Sequence, residues 1–203
     1  MSPIPSGERG FDGTYVDANA IAPETSRAIA TRFDRFVDGG IVGPPATRAG
    51  ITRLYLSGDD PDLTRSVAEL WAGSLLDARR IDGGPGAASA LKVAYALWTK
   101  VSSAMLLTVR ALAASEGIEQ ALLAEWEISQ PGTAERSELT AAMTAPKAWR
   151  FVGEMEEIAA TLAANDLPTG FGDAAADIYA RMATLRDQPE VTLAEVLERI
   201  RLD

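Results

Sequence analysis

The chain has 203 residues, of which 47% are hydrophobic and 24% are charged, a balance typical of globular proteins. Its formal charge of -10 argues against a nucleic-acid partner, because proteins that bind the phosphate backbone concentrate positive charge. Cysteine and histidine are both absent, which excludes disulfides, zinc–thiolate sites and imidazole catalysis. We predict no metal site, and acid–base chemistry has to use lysine, tyrosine or carboxylate side chains.

The first third of the chain alternates short strands with helices. Residues 1–13, rich in proline, glycine and serine, are predicted to be a flexible lead-in. Strands are predicted at residues 14–17, 35–42, 51–56 and 76–81. One helix is predicted at residues 23–33, and a second is opened by residues 59–62 and runs through about Trp71. Asp59, Asp60 and Asp62 are interpreted as capping and dipole partners of the second helix. This alternation predicts a parallel or mixed sheet covered by helices over residues 14–85.

From Gly86 onward the pattern is helical throughout, so residues 86–203 are predicted to form an all-helical domain and the protein to be mostly helical. The first helix, residues 86–115, is roughly 45 Å long at 1.5 Å per residue. Further helices are predicted at residues 118–129, 134–144, 147–163, 173–186 and 192–201, with Thr192 and Glu195 at capping-box spacing. The long helix is apolar nearly all round, which predicts a homodimer that buries it.

The sequence shows no membrane or secretion signal. The most apolar stretch is interrupted by Lys92, Lys100 and Arg110, so no uncharged run reaches the roughly 18 residues of a membrane span. The first ten residues lack the basic and apolar regions of a signal peptide. We therefore expect a cytoplasmic protein without a membrane partner.

Polar residues of the long helix recur at spacings of three and four along one face: Ser89, Lys92, Tyr95, Thr99 and Ser103. In one interpretation Lys92 reaches solvent or pairs with a carboxylate, and the hydroxyls bond to backbone carbonyls. In the other, the stripe is one wall of a polar pocket. Lys92 would then exchange a proton with a carbonyl or an alcohol, because the pKa of a partly buried lysine shifts readily.

The stretch from Gly84 to Ser89 has the outline of a dinucleotide-binding turn, since it follows a strand and opens a helix. However, it lies at the end of the sheet region, Ser89 replaces the third glycine, and the next acidic residue is Glu116. We therefore expect that this turn does not bind a pyrophosphate directly.

Three segments resemble the β-hydroxyacid dehydrogenases, whose relatives include 6-phosphogluconate dehydrogenase and the imine reductases. Residues 16–25 are similar to the family's D-x-S-T-x-x-P-x-T segment, although Asn19 and Ala20 replace its serine and threonine. Residues 38–44 are placed like its D-A-P-V-S-G-G segment, with Val42 and Pro44 as the departures. Residues 86–92 resemble G-x-G-x-x-x-K, with Ala88 in place of the second glycine.

The resemblance implies roles for individual residues. Lys92 matches the catalytic lysine, and Asn19 is the candidate contact near the nicotinamide of NAD or NADP. The segment Val42, Gly43 and Pro44 corresponds to the substrate-binding loop. Ala96 replaces the family's helper asparagine, for which Ser89 or Tyr95 are the candidate substitutes at the substrate.

The resemblance is strongest to a branch of the 6-phosphogluconate dehydrogenase-like proteins that has a C-terminal domain of unknown function. Residues 86–92, 122–126 and 149–157 are similar to that branch. Two interpretations of the last segment stay open: it lines a pocket from a neighbouring subunit, or it is a helix with an aromatic core face and a solvated run of Glu. The residues concerned are Trp149, Phe151, Glu154 and Met155. The family plan is a Rossmann domain followed by a helical domain that joins two subunits. Against that plan, the first strands and the G-x-G-x-x-G turn have no counterpart, because residues 1–13 are too few to hold them.

Two functions are therefore considered. The first is an NAD(P)-dependent oxidoreductase that passes a hydride to or from a small hydroxyacid, ketone or imine, and that lacks the front of the cofactor-binding domain. The second is a non-catalytic dimerising protein, a degenerate relative that does not bind the cofactor.

Overall fold

The computed structural model describes residues 11–188 and 190–201. Most of the predicted lead-in, residues 1–10, lies outside the described part. The chain divides into two compact units, the first ending at Tyr95 and the second beginning at Ala96. The predicted domain limits after residues 13 and 85 stay predictions.

The first unit contains a four-stranded mixed sheet. Its strands, in the spatial order β1-β2-β3-β4, are β1 (Tyr15–Asp17), β2 (Phe36–Val42), β3 (Thr52–Ser57) and β4 (Leu76–Arg80). The β1–β2 and β3–β4 pairs are parallel, whereas β2 and β3 are antiparallel. The prediction of a partial Rossmann-type sheet followed by helices is confirmed.

The connections explain this mixture of directions. Parallel neighbours need a crossover, which α1 (Pro23–Ala30) supplies between β1 and β2, and α2 (Pro61–Glu69) between β3 and β4. Residues 43–51 join β2 to β3 without a helix, so the chain turns back on itself and the strands pair antiparallel.

The core of the first unit lies between the sheet and α2. It consists of buried aliphatic side chains from β2, β3 and α2, namely Val37, Leu54, Leu56, Leu63 and Val67. Each contributes roughly 1.5–3 kcal/mol by leaving water. Helix α2 begins where predicted, because the Asp60 carboxylate accepts from the backbone amides of Asp62 and Leu63 at 2.9 and 3.0 Å. These bonds, the Leu63 one foremost, lower the pKa of Asp60.

The helix predicted over residues 86–115 begins one residue later, at Ala87, and is continuous to Ser115 but not regular. It consists of α3 (Ala87–Ala96), a π-helical turn (Leu97–Val101) and α4 (Ser102–Ser115). The Tyr179 hydroxyl donates to the carbonyl oxygen of Lys100 inside the π turn, at 2.6 Å. The irregular turn is therefore held by a tertiary hydrogen bond. In proteins generally, π turns are frequent at functional sites.

The second unit is helical. After the π turn and α4 it continues with α5 (Glu119–Ser129), α6 (Thr133–Thr144), α7 (Ala148–Ala164), α8 (Gly170–Arg181) and α9 (Leu193–Ile200), with 3-10 turns at Ala145–Lys147 and Met182–Leu185. Its most buried large side chains include Leu107, Met155, Ile158, Tyr179 and Met182. The predicted capping box of Thr192 and Glu195 is present at the start of α9.

None of the helices within residues 11–188 and 190–201 combines the length and the apolar character needed to cross a membrane.

We expect the change Tyr179→Phe to reduce the free energy of unfolding by about 1 kcal/mol, because it leaves the Lys100 carbonyl without its hydroxyl donor. Urea denaturation measures the loss. The matched control is Tyr15→Phe, whose ring stacks on Phe33 and whose loss of a hydroxyl is expected to change stability little. A Tyr179→Phe protein as stable as the parent would show that the hydrogen bond to the Lys100 carbonyl does not stabilise the fold.

Candidate functional site

The first unit contains a fully buried carboxylate, that of Asp38 on β2. Its Oδ1 accepts from the hydroxyls of Ser26 and Ser89 at 2.7 and 2.6 Å. Its Oδ2 accepts from the backbone amide of Ser89 at 2.9 Å and from the Ser57 hydroxyl at 3.3 Å. We call Asp38 with these three serines, Ser26, Ser57 and Ser89, the Asp38 cluster. Four elements, α1, β2, β3 and α3, meet at this one carboxylate.

The same cluster caps the first turn of α3. The amide of Ala88 donates to the Ser57 hydroxyl at 3.0 Å, and the amide of Ser89 donates to Asp38. The amides of Ala87 and Ala90 donate to the carbonyls of Gly84 and Gly86. The amides of Ala87, Ala88 and Ser89, which a helix start leaves without an intrahelical partner, therefore have acceptors within the protein.

This capping bears on the glycine turn that resembles a dinucleotide fingerprint. A pyrophosphate binds a helix start through free amides and the positive end of the helix dipole. At α3 the amides are committed and the Asp38 carboxylate already supplies the negative charge. The arrangement agrees with the expectation that this turn does not hold a pyrophosphate directly.

The turn instead serves close packing. Gly86 has a positive φ of 93°, and a side chain there would meet the carbonyl oxygen of Pro23 at 2.8 Å. On β2, a Cβ at Gly40 would lie 2.5 Å from the carbonyl oxygen of Ala88 and 3.3 Å from the Cβ of Lys92. The absence of a side chain at Gly40 thus lets β2 lie directly against the face of α3 that carries Lys92.

The predicted substrate and cofactor residues lie around this strand. Asn19 is exposed, and both its backbone amide and its side-chain amide donate to Asp17 Oδ1, at 2.9 and 3.0 Å. Val42 is buried, whereas Gly43 and Pro44 are exposed. The Pro44 carbonyl accepts a hydrogen bond from Thr52, which fixes the start of the loop after β2.

The predicted residues on α3 have different surroundings. Ser89 is buried and its hydroxyl is engaged by Asp38, so its side chain belongs to the Asp38 cluster. Lys92 is half-buried, and Tyr95 is 46% exposed. The structure therefore brings Ser89 and Lys92 together with β2.

The sequence interpretation assigned no role to Asp38, although that residue begins the substrate-like segment. The available signal was a charged residue within an otherwise buried strand, since an acidic side chain is almost never fully buried unless it has partners. Its serine partners lie 12, 19 and 51 positions away, so the sequence alone does not reveal them.

A second polar cluster lies in the helical unit. The Lys100 ammonium is 3.5 Å from a carboxylate oxygen of Glu154 and 3.7 Å from the centre of the Phe151 ring. The Phe151 ring packs edge-on against Tyr179. Burial raises the pKa of the Tyr179 phenol, and the nearby Glu154 charge adds to the rise. Because the Lys100 ammonium is paired with Glu154, we interpret this cluster as a structural contact that joins the π turn to α7 and α8.

The described residues contain no group of three or more acidic side chains arranged to hold a metal ion. The helical unit has an apolar groove of about 240 Å³ between α4 and α8. We call it the α4–α8 groove. It is lined by aliphatic, aromatic and small side chains and by one threonine, in full Val101, Ala104, Met105, Thr108, Val109, Phe171, Ala174, Ala175 and Ile178.

The comparison with known families gives a match within the helical half of the chain. Residues 113–182 match the family described as domain of unknown function DUF1932, which spans the end of α4 and helices α5 to α8. The comparison with curated proteins found no match.

Solved structures extend the likeness to both halves. The conserved protein MTH1747, described as structurally similar to 3-hydroxyacid dehydrogenases, is 27% identical with a TM-score of 0.69 over 88% of this chain and 69% of its own. The 3-hydroxyisobutyrate dehydrogenase of Mycobacterium tuberculosis, with L-serine, is 18% identical with a TM-score of 0.61, covering 93% and 70%. Psf3, in complex with NADP+ and 2-OPP, is 17% identical with a TM-score of 0.56, covering 92% and 68%.

The chain thus spans about two thirds of the length of these structures. Its residues 113–182 match the DUF1932 family, and its fold matches part of the 3-hydroxyacid dehydrogenase fold, which confirms the resemblance to β-hydroxyacid dehydrogenase-like proteins that its sequence motifs indicate.

Proposed function

We propose that this chain is the substrate-side part of an NAD(P)-dependent oxidoreductase, with Lys92 as its acid–base group. The observation that carries the proposal is the contact between β2 and α3. The substrate-like segment at residues 38–44 and the lysine segment at residues 86–92 are far apart in the chain. They meet where Gly40 packs against Ala88 and the Cβ of Lys92.

The chemistry assigned to Lys92 is proton exchange with the substrate. When a ketone or imine is reduced, the ammonium donates a proton to the developing oxygen or nitrogen anion. When a hydroxyacid is oxidised, the neutral amine accepts the hydroxyl proton. Lys92 is half-buried, so bulk water competes less with a bound substrate for its proton. Val42, Gly43 and Pro44, at the end of β2, are the proposed substrate contacts, with Tyr95 on α3, whereas the Ser89 hydroxyl is already engaged by Asp38.

A nicotinamide cofactor, NADP or NAD, would supply or accept the hydride. The complex of Psf3 with NADP+ supports a nicotinamide cofactor for this fold. Asn19, at the carboxyl end of β1, is the proposed contact on the nicotinamide side. The start of α3 is poorly suited to bind the cofactor phosphates. Its Ala88 and Ser89 amides already donate to Ser57 and Asp38. The proposed role of this chain is therefore limited to the substrate side.

To test this function, the whole chain is supplied with millimolar NADPH or NADH and a panel of ketones, imines and hydroxyacids. We expect slow turnover, followed by nicotinamide absorbance, that needs millimolar cofactor because the α3 amides are not free. We expect Lys92→Ala to lower the rate by roughly 100-fold or more, the size of a general acid–base contribution.

The matched control is Lys147→Ala, which removes an exposed lysine of the helical unit and is expected to leave the rate unchanged. If no substrate turns over with either cofactor, or if both lysine variants behave alike, the enzymatic proposal fails. The non-catalytic interpretation then takes its place.

The second candidate function, a non-catalytic dimerising protein, is favoured by the capped start of α3 and by the apolar surface of the helical unit. Both candidates include a homodimer formed through the long helix. Met105 and Leu112 of α4 are 59% and 60% exposed, and Phe171 of α8 is 66% exposed. Met105 and Phe171 line the α4–α8 groove, whose lining includes no charged residue. Such an unpaired apolar surface supports contact with a second copy.

We expect Met105→Glu to shift the protein from dimer to monomer, because a buried, unpaired carboxylate opposes association. Light scattering at micromolar concentration gives the mass. The matched control is Ile128→Glu, which places the same charge on an 80% exposed side chain of α5, outside the groove, and is expected to leave the dimer intact. A parent protein that is monomeric under these conditions would refute the proposed dimer.

A further inference from the structure

The Asp38 cluster and Lys92 are joined by the geometry of one strand face. Alternate residues of a strand point to the same side, so Asp38 and Gly40 both face α3. Asp38 binds the amide and hydroxyl of Ser89 in the first turn of that helix. Gly40 lies against Ala88 and the Cβ of Lys92. Ser89 and Lys92 are three residues apart and therefore lie on one face of α3.

The four bonds to Asp38 define the orientation of its carboxylate. The hydroxyl of Ser26, on α1, donates to Oδ1, and the hydroxyl of Ser57, on β3, donates to Oδ2. Ser89 then docks on the remaining lone pairs with two donors, its amide and its hydroxyl. A carboxylate at the start of a helix also interacts favourably with the helix dipole. The strand thus holds the first turn of α3 both by hydrogen bonds and by charge.

A nucleophilic role for these serines is opposed by their burial. Ser26, Ser57 and Ser89 are at most 1% exposed, so a substrate does not reach their hydroxyls. The hydroxyls of Ser26 and Ser89 both donate directly to the buried carboxylate. The cluster is therefore a device for holding backbone in place.

We propose that Asp38 is a positioning residue for Lys92. By fixing Ser89, it sets the first turn of α3 and so the direction from which the Lys92 side chain enters the substrate site. This inference rests on the proposed acid–base role of Lys92. It adds a partner that acts through α3 and has no contact with the substrate.

The test uses the small number of lysines in the chain, which are Lys92, Lys100 and Lys147. Reductive methylation with ¹³C-labelled formaldehyde gives each lysine its own methyl signal in the NMR spectrum, and Lys92→Arg assigns the Lys92 signal. In Asp38→Asn an amide group faces donors that need an acceptor. We expect the Lys92 signal to move or broaden in that variant, whereas the Lys100 and Lys147 signals stay in place.

Two further variants make the result decisive. Ser26→Ala removes a donor from α1 but leaves both bonds between Asp38 and Ser89, so the Lys92 signal is expected to stay unchanged. Ser89→Ala removes the hydroxyl bond to Asp38 and keeps the amide bond, so a smaller movement of the signal is expected. It also serves as the deciding variant if Asp38→Asn does not fold.

An Asp38→Asn protein, or Ser89→Ala in its place, with a lowered unfolding temperature and an unmoved Lys92 signal would overturn the proposal and leave a purely structural role. If turnover is found, the positioning role predicts that Asp38→Asn lowers kcat by about tenfold or more and changes KM for the cofactor little. The NMR measurement does not need activity. A moved signal in an inactive protein would therefore support the positioning role while rejecting the proposed function.

Discussion

The burial of the Asp38 carboxylate is the constraint on which the first unit depends. A fully buried charge is stable only when hydrogen bonds replace the water that it loses, and an unpaired one costs several kcal/mol. Here the donors come from α1, β3 and α3, while the carboxylate itself belongs to β2. If one of these elements moved away, the buried carboxylate would lose the hydrogen bond that the element provides. The Asp38 side chain thus links the sheet to helices α1 and α3.

The same constraint decides how the glycine-rich turn before α3 is used. Glycine turns that open helices serve phosphate binding when their amides are free. In this chain the amides of Ala88 and Ser89 donate to Ser57 and Asp38, and Gly86 makes room for the carbonyl of Pro23. The glycines are therefore explained by packing and turn geometry. A turn with the outline of a nucleotide fingerprint thus docks the start of α3 against the sheet.

Much of the fold could be predicted from the sequence, because the local signals agree with the tertiary structure. The four strands, the capping of α2 by Asp60 and the capping box at Thr192 all follow from residue types within a few positions. The π turn could not be predicted, since no proline or glycine marks it. Its tertiary partner, the Tyr179 hydroxyl, is 79 residues from Lys100.

Helix α8 also differed from the prediction. It begins at Gly170 and gives way to a 3-10 turn at Met182, whereas a helix over residues 173–186 was expected.

The candidate site shows the same division between local and distant signals. Its lysine and its substrate-like strand were found from motifs, but the role of Asp38 depends on serines from three other elements. The enzymatic proposal is compatible with a helix α3 whose first amides are already hydrogen-bonded. A dehydrogenase must fix its acid–base group against the substrate and must hold the cofactor phosphates, and separate residues can meet the two needs. In the proposed function, the contact between β2 and α3 serves the first need. The commitment of the α3 amides means that the second has to be met elsewhere.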